Sequence, residues 1–193
     1  MTNLSQENLS VSRCSWCGTD PLYVKYHDEE WGKEVHDDKV LFEFLILESA
    51  QAGLSWITIL RRRDGYRNAF ANFDIERVSK FTEKDVEQLM QETGIIRNRL
   101  KIIAAVNNAK LFLEVQKEFG SFDAYLYSFM PEGKPLVNNI EMQGAVPPRT
   151  EISDRIAKDM KKRGFKFFGT TICYAFMQAV GMVNDHISTC AFK

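Results

Sequence analysis

No apolar run approaches the roughly 18–20 residues that a membrane span needs. The longest, Val40–Leu47, is broken by Glu43. The opening residues, Met1–Ser12, are polar and lack the apolar stretch of a secretory signal. These absences point to a cytoplasmic protein that binds no membrane. Net charge is also scarce: 25 Lys and Arg against 26 Asp and Glu leave −1 over 193 residues. A near-neutral total argues against a nucleic-acid binder unless the basic residues cluster. Cysteine is limited to four, which in a reducing compartment reads as free thiols or metal ligands before disulfides. Of only five prolines, four (Pro131, Pro135, Pro147, Pro148) fall within 131–150, marking that stretch as the main loop. There is no alternating β run, no nucleotide-binding glycine loop and no internal repeat.

What is present reads as helix. With 45% hydrophobic and 26% charged residues the chain can bury a core, and its length suits one domain. Residues 1–12 read as an extension outside a single domain of 13–193. Apolar spacing predicts helices over Asp38–Ala52, Leu54–Arg63, Asp64–Phe70, Thr82–Thr93, Asn98–Phe119, Ser121–Phe129, Asp154–Arg163 and Thr171–Val180. Gly53 marks a break between the first two. Thr82 and Asp85 have capping-box spacing, and Gly94 is the candidate C-cap of that helix. Asn98–Phe119 reads as amphipathic, with Leu100 and Ile103 among its apolar residues. The expected fold class is all-α, with eight to ten short helices.

Charge is uneven along the chain. Residues 1–50 hold ten acids and four bases, net −6, leaving +5 for the rest. The basic islands are Arg61–Arg63 with Arg67, Arg97–Lys101, and Arg155–Lys166. Three such islands on one small domain suggest a basic surface.

Three constellations could carry chemistry. Cys14-x2-Cys17 has zinc-ligand spacing, and His186 and Cys190 stand at i, i+4, so that one helical turn can aim both at one point. With His27 there are five candidates for four positions: either Cys14, Cys17, His186 and Cys190 bind, or His27 replaces one cysteine. Four protein ligands would make the ion structural and join the chain ends. Next, Glu48 falls in the middle of the stripe formed by Leu41, Phe44, Leu45 and Ala52, while Glu43 faces away. A carboxylate on a buried face is costly unless paired or held for use. All three tryptophans lie within 16–56, with Tyr23 and Tyr26 among them. Aromatic faces beside a carboxylate suit a flat cationic ring. Third, Gly94-Ile95-Ile96-Arg97 between two helices reads as a hairpin whose backbone N–H groups can hold a phosphate.

Taken together, these motifs resemble the DNA-3-methyladenine glycosylase I family of the helix-hairpin-helix superfamily. The matching segments are Asp20–Tyr23, Tyr26–Asp28, Glu30–Gly32, Leu47–Trp56, Gly94–Arg97, Lys162–Phe167, Gly169–Thr171 and Val183–His186. The likeness covers about residues 13–190, and the Glu48–Trp56 run is its most specific part. It implies the helix-hairpin-helix glycosylase fold, and a monofunctional enzyme that flips out and hydrolytically excises 3-methyladenine from alkylated double-stranded DNA. The products would be free 3-methyladenine and an abasic site, with no lyase step. The family's zinc ligands match Cys14, His27, His186 and Cys190, making one structural zinc joining the terminal segments and leaving Cys17 a bystander. Glu48 would be the catalytic residue and would hydrogen-bond the base with Tyr26, between Trp56 and Trp16. Gly53 and Leu54 would enter the duplex gap, and Gly94, Ile95, Ile96 and Arg97 would hold DNA. Asn98 and Arg99 stand where other superfamily members place a catalytic aspartate. A monomer in the cytoplasm, associated with the nucleoid, is expected. The competing reading is a non-catalytic reader of modified bases.

Overall fold

A computed structural model describes residues 11–193, in which ten α-helices surround one buried core. They are α1 (Pro21–Glu29), α2 (Asp38–Gln51), α3 (Trp56–Leu60), α4 (Arg63–Ala69), α5 (Ile75–Ser79), α6 (Glu83–Leu89), α7 (Arg99–Phe119), α8 (Phe122–Tyr127), α9 (Glu151–Arg163) and α10 (Thr170–Ala179). No helix among the described residues is long and apolar enough to cross a membrane. The all-α expectation needs one amendment. Leu136–Val137 (β1) and Val183–Asn184 (β2) form a short parallel pair within the expected loop and near the C-terminus. Two-residue strands are too short to leave an alternating pattern.

The expected extension over 1–12 lies outside the described residues as far as residue 10. Ser12 already belongs to the fold, since its carbonyl accepts from Ala191 N–H at 3.0 Å.

The middle of the core is α2. Every residue from Leu41 to Ala50 is buried, so the helix has no solvent face. The amphipathic reading therefore fails at Glu43, which is buried against Arg63 (2.5 Å) and Arg67 (3.0 Å). A helix enclosed on all sides has apolar residues all round, and a wheel cannot reveal a partner 20 residues away. Asp37 caps the start of α2. Asp38 reaches across to cap α8, accepting from Phe122 N–H at 2.8 Å and Asp123 N–H at 3.0 Å.

Helix α7 starts at the Asn98 cap and ends at Gly120. Its buried face is Ile102, Ala105, Ala109, Phe112 and Val115; Leu100 and Ile103 point outward, contrary to expectation. The Thr82–Asp85 capping box is present. Its helix, however, ends at Leu89, and Gly94 does not cap it. Gly94 instead lets two backbones cross. A Cβ on Gly65 of α4 would lie 2.2 Å from the Gly94 carbonyl oxygen. Helix α9 starts three residues before the expected Asp154, because Thr150 pairs with Ser153 in a capping box.

Two helices are not among those the apolar spacing predicts. Asp20 caps α1 and Pro21 opens it, a start signal that is present in the sequence. Asp74 caps the single turn of α5.

Candidate active site

A cavity of about 200 Å3 opens between α1, α2 and α10. That is smaller than the roughly 300–1,000 Å3 of drug-sized sites. Helix α2 brings Glu48, α1 brings Tyr23 and Tyr26, and the segments beside α1 bring Trp16 and Trp31. Trp56 opens α3. Trp16 is central to the aromatic wall. Its ring centroid lies 4.9 Å from that of Trp31 and 5.0 Å from that of Tyr23, both edge-on. Tyr26 and Trp56 meet at 5.5 Å. The sequence-predicted Trp16, Tyr26, Glu48 and Trp56 thus share one cavity. Tyr23 and Trp31 are visible in the sequence only as part of an aromatic cluster. Ala175 and Gln178 of α10 carry no signal at all, because that wall is distant in sequence.

Polarity in this cavity is unsatisfied. Glu48 is buried and its Oε2 has no hydrogen-bond partner among the described residues; neither has Trp16 Nε1 nor Trp56 Nε1. Such groups are costly to bury unpaired. Burial pushes the Glu48 carboxyl up from 4.5 to about 8. Burial, and then the nearby Glu48 charge, raise the Tyr26 hydroxyl well above its usual value. A cation placed in the cavity would reverse the effect on Glu48 by favouring the carboxylate.

The chain between Glu48 and Trp56 makes a tight turn. Leu54 N–H donates to the Gln51 carbonyl at 2.6 Å, Ala52 has φ −42 and ψ 112, and Gly53 has φ +84. This is a type II turn, whose third residue needs positive φ and therefore glycine. The break expected at Gly53 is there, with Leu54 39% exposed beside it. Lys101 braces the turn, its Nζ donating to the Ala50 and Ala52 carbonyls at 2.8 Å each. Burial lowers the Lys101 pKa.

Lys101 also belongs to the first turn after the Gly94–Arg97 hairpin. There Ile95 is buried and Arg97 exposed. Not every backbone donor of the hairpin is open to a ligand, because Ile96 N–H is spent on the Tyr66 hydroxyl at 3.2 Å. Arg99 pairs with Glu83 and Glu87.

On the far side of Trp16 and Trp31, Cys14, His27, His186 and Cys190 bring their donor atoms within 4.8 Å of one another, all buried. This group could hold a metal ion. Cys190 Sγ lies 3.3 Å from His186 Nδ1 and 3.6 Å from His27 Nε2, and Cys14 Sγ lies 3.6 Å from His186 Nδ1. Cys17 is left out, its thiol donating to the Cys14 carbonyl at 3.1 Å. His186 and Cys190 converge, but not on a helix as the spacing suggests. The chain turns after β2, with Cys190 N–H bonded to the Ile187 carbonyl at 2.9 Å. Burial lowers both histidines, His186 to about 4, and raises the Cys14 thiol to about 12.

Folding reduces the separation between the acidic segment and the basic islands. Arg61, Arg63 and Arg67 neutralise Asp20, Glu30 and Glu43 of the acidic segment. Arg163 is tied to Glu118 and Asp159.

Known proteins resemble this chain in sequence and in fold. The sequence profile of the family described as "Methyladenine glycosylase" matches residues 16–193. The DNA-3-methyladenine glycosylase 1 of Escherichia coli is 48% identical over 180 residues, 93% of this chain and 96% of that protein. The DNA-3-methyladenine glycosylase of Haemophilus influenzae is 46% identical over 183 residues, 95% of this chain and 98% of that protein. A solved structure of 3-methyladenine DNA glycosylase I from Staphylococcus aureus, determined for the structural basis of 3-methyladenine recognition, superposes with a TM-score of 0.91. It is 36% identical, covering 94% of this chain and 96% of that one. Profile, relatives and fold agree over nearly the whole chain, which therefore belongs to the methyladenine glycosylase family, the DNA-3-methyladenine glycosylases of base-excision repair.

Proposed function

We propose that this chain excises 3-methyladenine from alkylated double-stranded DNA by hydrolysis and leaves an abasic site without cutting the strand. The observation that carries this reading is the unpartnered Glu48 carboxyl inside an aromatic cavity, immediately before the Gly53–Leu54 turn. A base must leave the stack to be reached, and weakly paired, damaged bases cost least to extrude. Leu54 fills the gap that the base vacates. In the cavity Trp16 and Trp56 hold the faces of the ring, while Glu48 and Tyr26 read its edge.

Selectivity follows from charge. Methylation makes the base cationic and weakens its glycosidic bond, so the leaving group needs no strong general acid. A cation draws Glu48 to its carboxylate form, and the pair then stabilises itself in a dry site. Neutral adenine offers Glu48 no such compensation. Water attacks the sugar. No lysine lines the cavity among the described residues; the reaction is read as monofunctional.

Cys14, His27, His186 and Cys190 are read as ligands of one structural zinc ion. At tetrahedral angles, Zn–S near 2.3 Å and Zn–N near 2.0–2.1 Å put sulfur and nitrogen about 3.6 Å apart, close to the observed spacings. Each histidine is oriented for the task. Asp28 holds His27 through Nδ1 at 2.7 Å and the Trp31 carbonyl holds His186 through Nε2 at 3.1 Å, which turns the other nitrogens toward the sulfurs, His27 Nε2 also accepting from Cys14 N–H at 3.4 Å. A closed set of four ties the N-terminal segment to the C-terminal one and keeps Trp31 in the cavity wall. The enzyme is read as a monomer acting where the DNA is, in the cytoplasm.

The test is incubation with methylated duplex DNA, followed by separation of the released bases and assay for abasic sites. Release of 3-methyladenine with intact strands is expected. Binding without release would favour a non-catalytic reader of modified bases.

A further inference from the structure

A groove runs between α9 and the turn that leads from it to α10. Lys158 and Lys161 of α9 line one side; Lys166 and Phe167 of the turn line the other. All four side chains are exposed. The three lysines make no ion pair among the described residues. The groove's one acid, Asp154, is already engaged by the Thr170 hydroxyl and by Arg149 at 3.6 Å. The arginines at 61, 63, 67, 99 and 163 are all neutralised internally. Here positive charge is left facing solvent.

The turn is clamped. Asn108, buried in α7, donates to the Lys166 carbonyl and accepts from Lys166 N–H, both at 2.9 Å. Asn107 donates to the Gly164 carbonyl at 3.1 Å. Phe165 and Phe168 are buried, but Phe167 between them is held at φ +53 and is 39% exposed. Phenylalanine adopts positive φ only under strain, and strain of this kind gathers at functional sites. The turn thus holds an aromatic ring and a lysine toward solvent in a fixed position.

Two helices give its position. Helix α10 leaves the groove at Thr170 and reaches the base cavity at Ala175 and Gln178, about 8–12 Å further on. Helix α7 leads from the hairpin to Asn108 in about 15 Å. Both distances are well inside one turn of duplex, about 34 Å. A duplex that offers a base to the cavity and a phosphate to the hairpin is thus long enough to extend to the groove as well.

We propose that the groove formed by Lys158, Lys161 and Lys166 with Phe167 is a second binding surface for the DNA backbone. Its ammonium groups hold phosphates and its ring packs on a sugar of the duplex flanking the extruded base. The proposal rests on the glycosylase reading. Its test is the affinity for an undamaged duplex, measured by fluorescence anisotropy between 50 and 200 mM KCl. Each phosphate held by a lysine adds about 0.9 to the steepness of log K against log [salt]. The Lys158→Gln/Lys161→Gln/Lys166→Gln variant is expected to give a slope shallower by about 2–3. The control Lys25→Gln/Lys80→Gln/Lys134→Gln, at lysines already paired with Glu29, Glu76 and Glu132, is expected to keep the wild-type slope. Phe167→Gly suits the backbone, so it is expected to fold and to bind duplex several-fold more weakly; full affinity would remove the ring from the proposal. A wild-type slope in the triple groove variant would overturn the groove. Base release by the wild type is followed alongside. Normal release with an unchanged slope rejects the groove alone, whereas a shallower slope with no release rejects the glycosylase reading alone.

Discussion

Asp28 Oδ1 lies 2.7 Å from His27 Nδ1, while Arg13 grips the same carboxylate through Nε at 2.9 Å and Nη2 at 2.7 Å. This series of hydrogen bonds fixes the tautomer of His27, so that Nε2 faces the sulfurs of Cys14 and Cys190. Partners of this kind are worth roughly 10–100-fold in metal affinity. Asp28→Ala is expected to lower zinc affinity by that factor in a chelator competition followed by elemental analysis. Cys14→Ser is expected to lose the ion, and Cys17→Ser to retain it. Equal zinc retention by Asp28→Ala and the wild type would contradict the arrangement.

Glu48 gives a pH dependence of defined sign. Its carboxyl titrates near 8 in the folded chain, against an ordinary value of 4.5. The stability it contributes is present below the ordinary value and is lost as pH rises through about 8. In the proposed reaction catalysis runs the other way, because only the carboxylate compensates a cationic base. The kcat/KM for excision is expected to fall by up to tenfold per pH unit below about 8. Glu48→Gln should flatten both profiles: thermal melts at pH 5 and pH 9, and excision rates over the same range, provide the check.

On the proposed reading, the Gly53–Leu54 turn opens the duplex while Glu48 reads the base. Leu54→Ala is expected to leave the melting temperature and the affinity for free 3-methyladenine unchanged while lowering excision from duplex. Gly53→Ala forces a side chain into positive φ, at a cost of order 1–3 kcal/mol, and should impair excision more than Leu54→Ala does. Single-turnover kinetics on duplex and titration with free base distinguish the two effects.

The crossing of Gly65 and Gly94 is a packing constraint beneath the hairpin. Gly65→Ala places a Cβ 2.2 Å from the Gly94 carbonyl oxygen. Overpacking of this kind costs about 1–3 kcal/mol. Denaturant unfolding should show the destabilisation, accompanied by weaker duplex binding as the hairpin shifts.

Legibility in the sequence follows the range of the interactions. Glu48 stands out because a wheel reports burial within one helix, whereas Glu43 is misplaced by the same wheel because its partners Arg63 and Arg67 lie on α4. The Asp20–Pro21 start of α1 is local and readable, yet the cysteine and aromatic motifs around it dominate that stretch. Spacing leaves five metal candidates, and the fold brings together the four that the family resemblance implies. Ala175 and Gln178 carry no local signal, since only packing places α10 against α1 and α2. The same holds for Lys101 and Phe167, whose roles depend on Ala50, Ala52 and Asn108 far away in the chain. Net charge is the least informative feature, because folding pairs the first basic island with the acidic segment.

The central claim is that an unpaired, buried carboxyl in an aromatic cavity selects a cationic base. Binding of free 3-methyladenine and of adenine to the wild type and to Glu48→Gln, followed by quenching of tryptophan fluorescence at constant pH, tests it most directly. The expected result is saturable quenching by 3-methyladenine in the wild type, little by adenine, and loss of that preference in Glu48→Gln. Equal binding of the two bases by the wild type, or an undiminished preference in a folded Glu48→Gln variant, would contradict it.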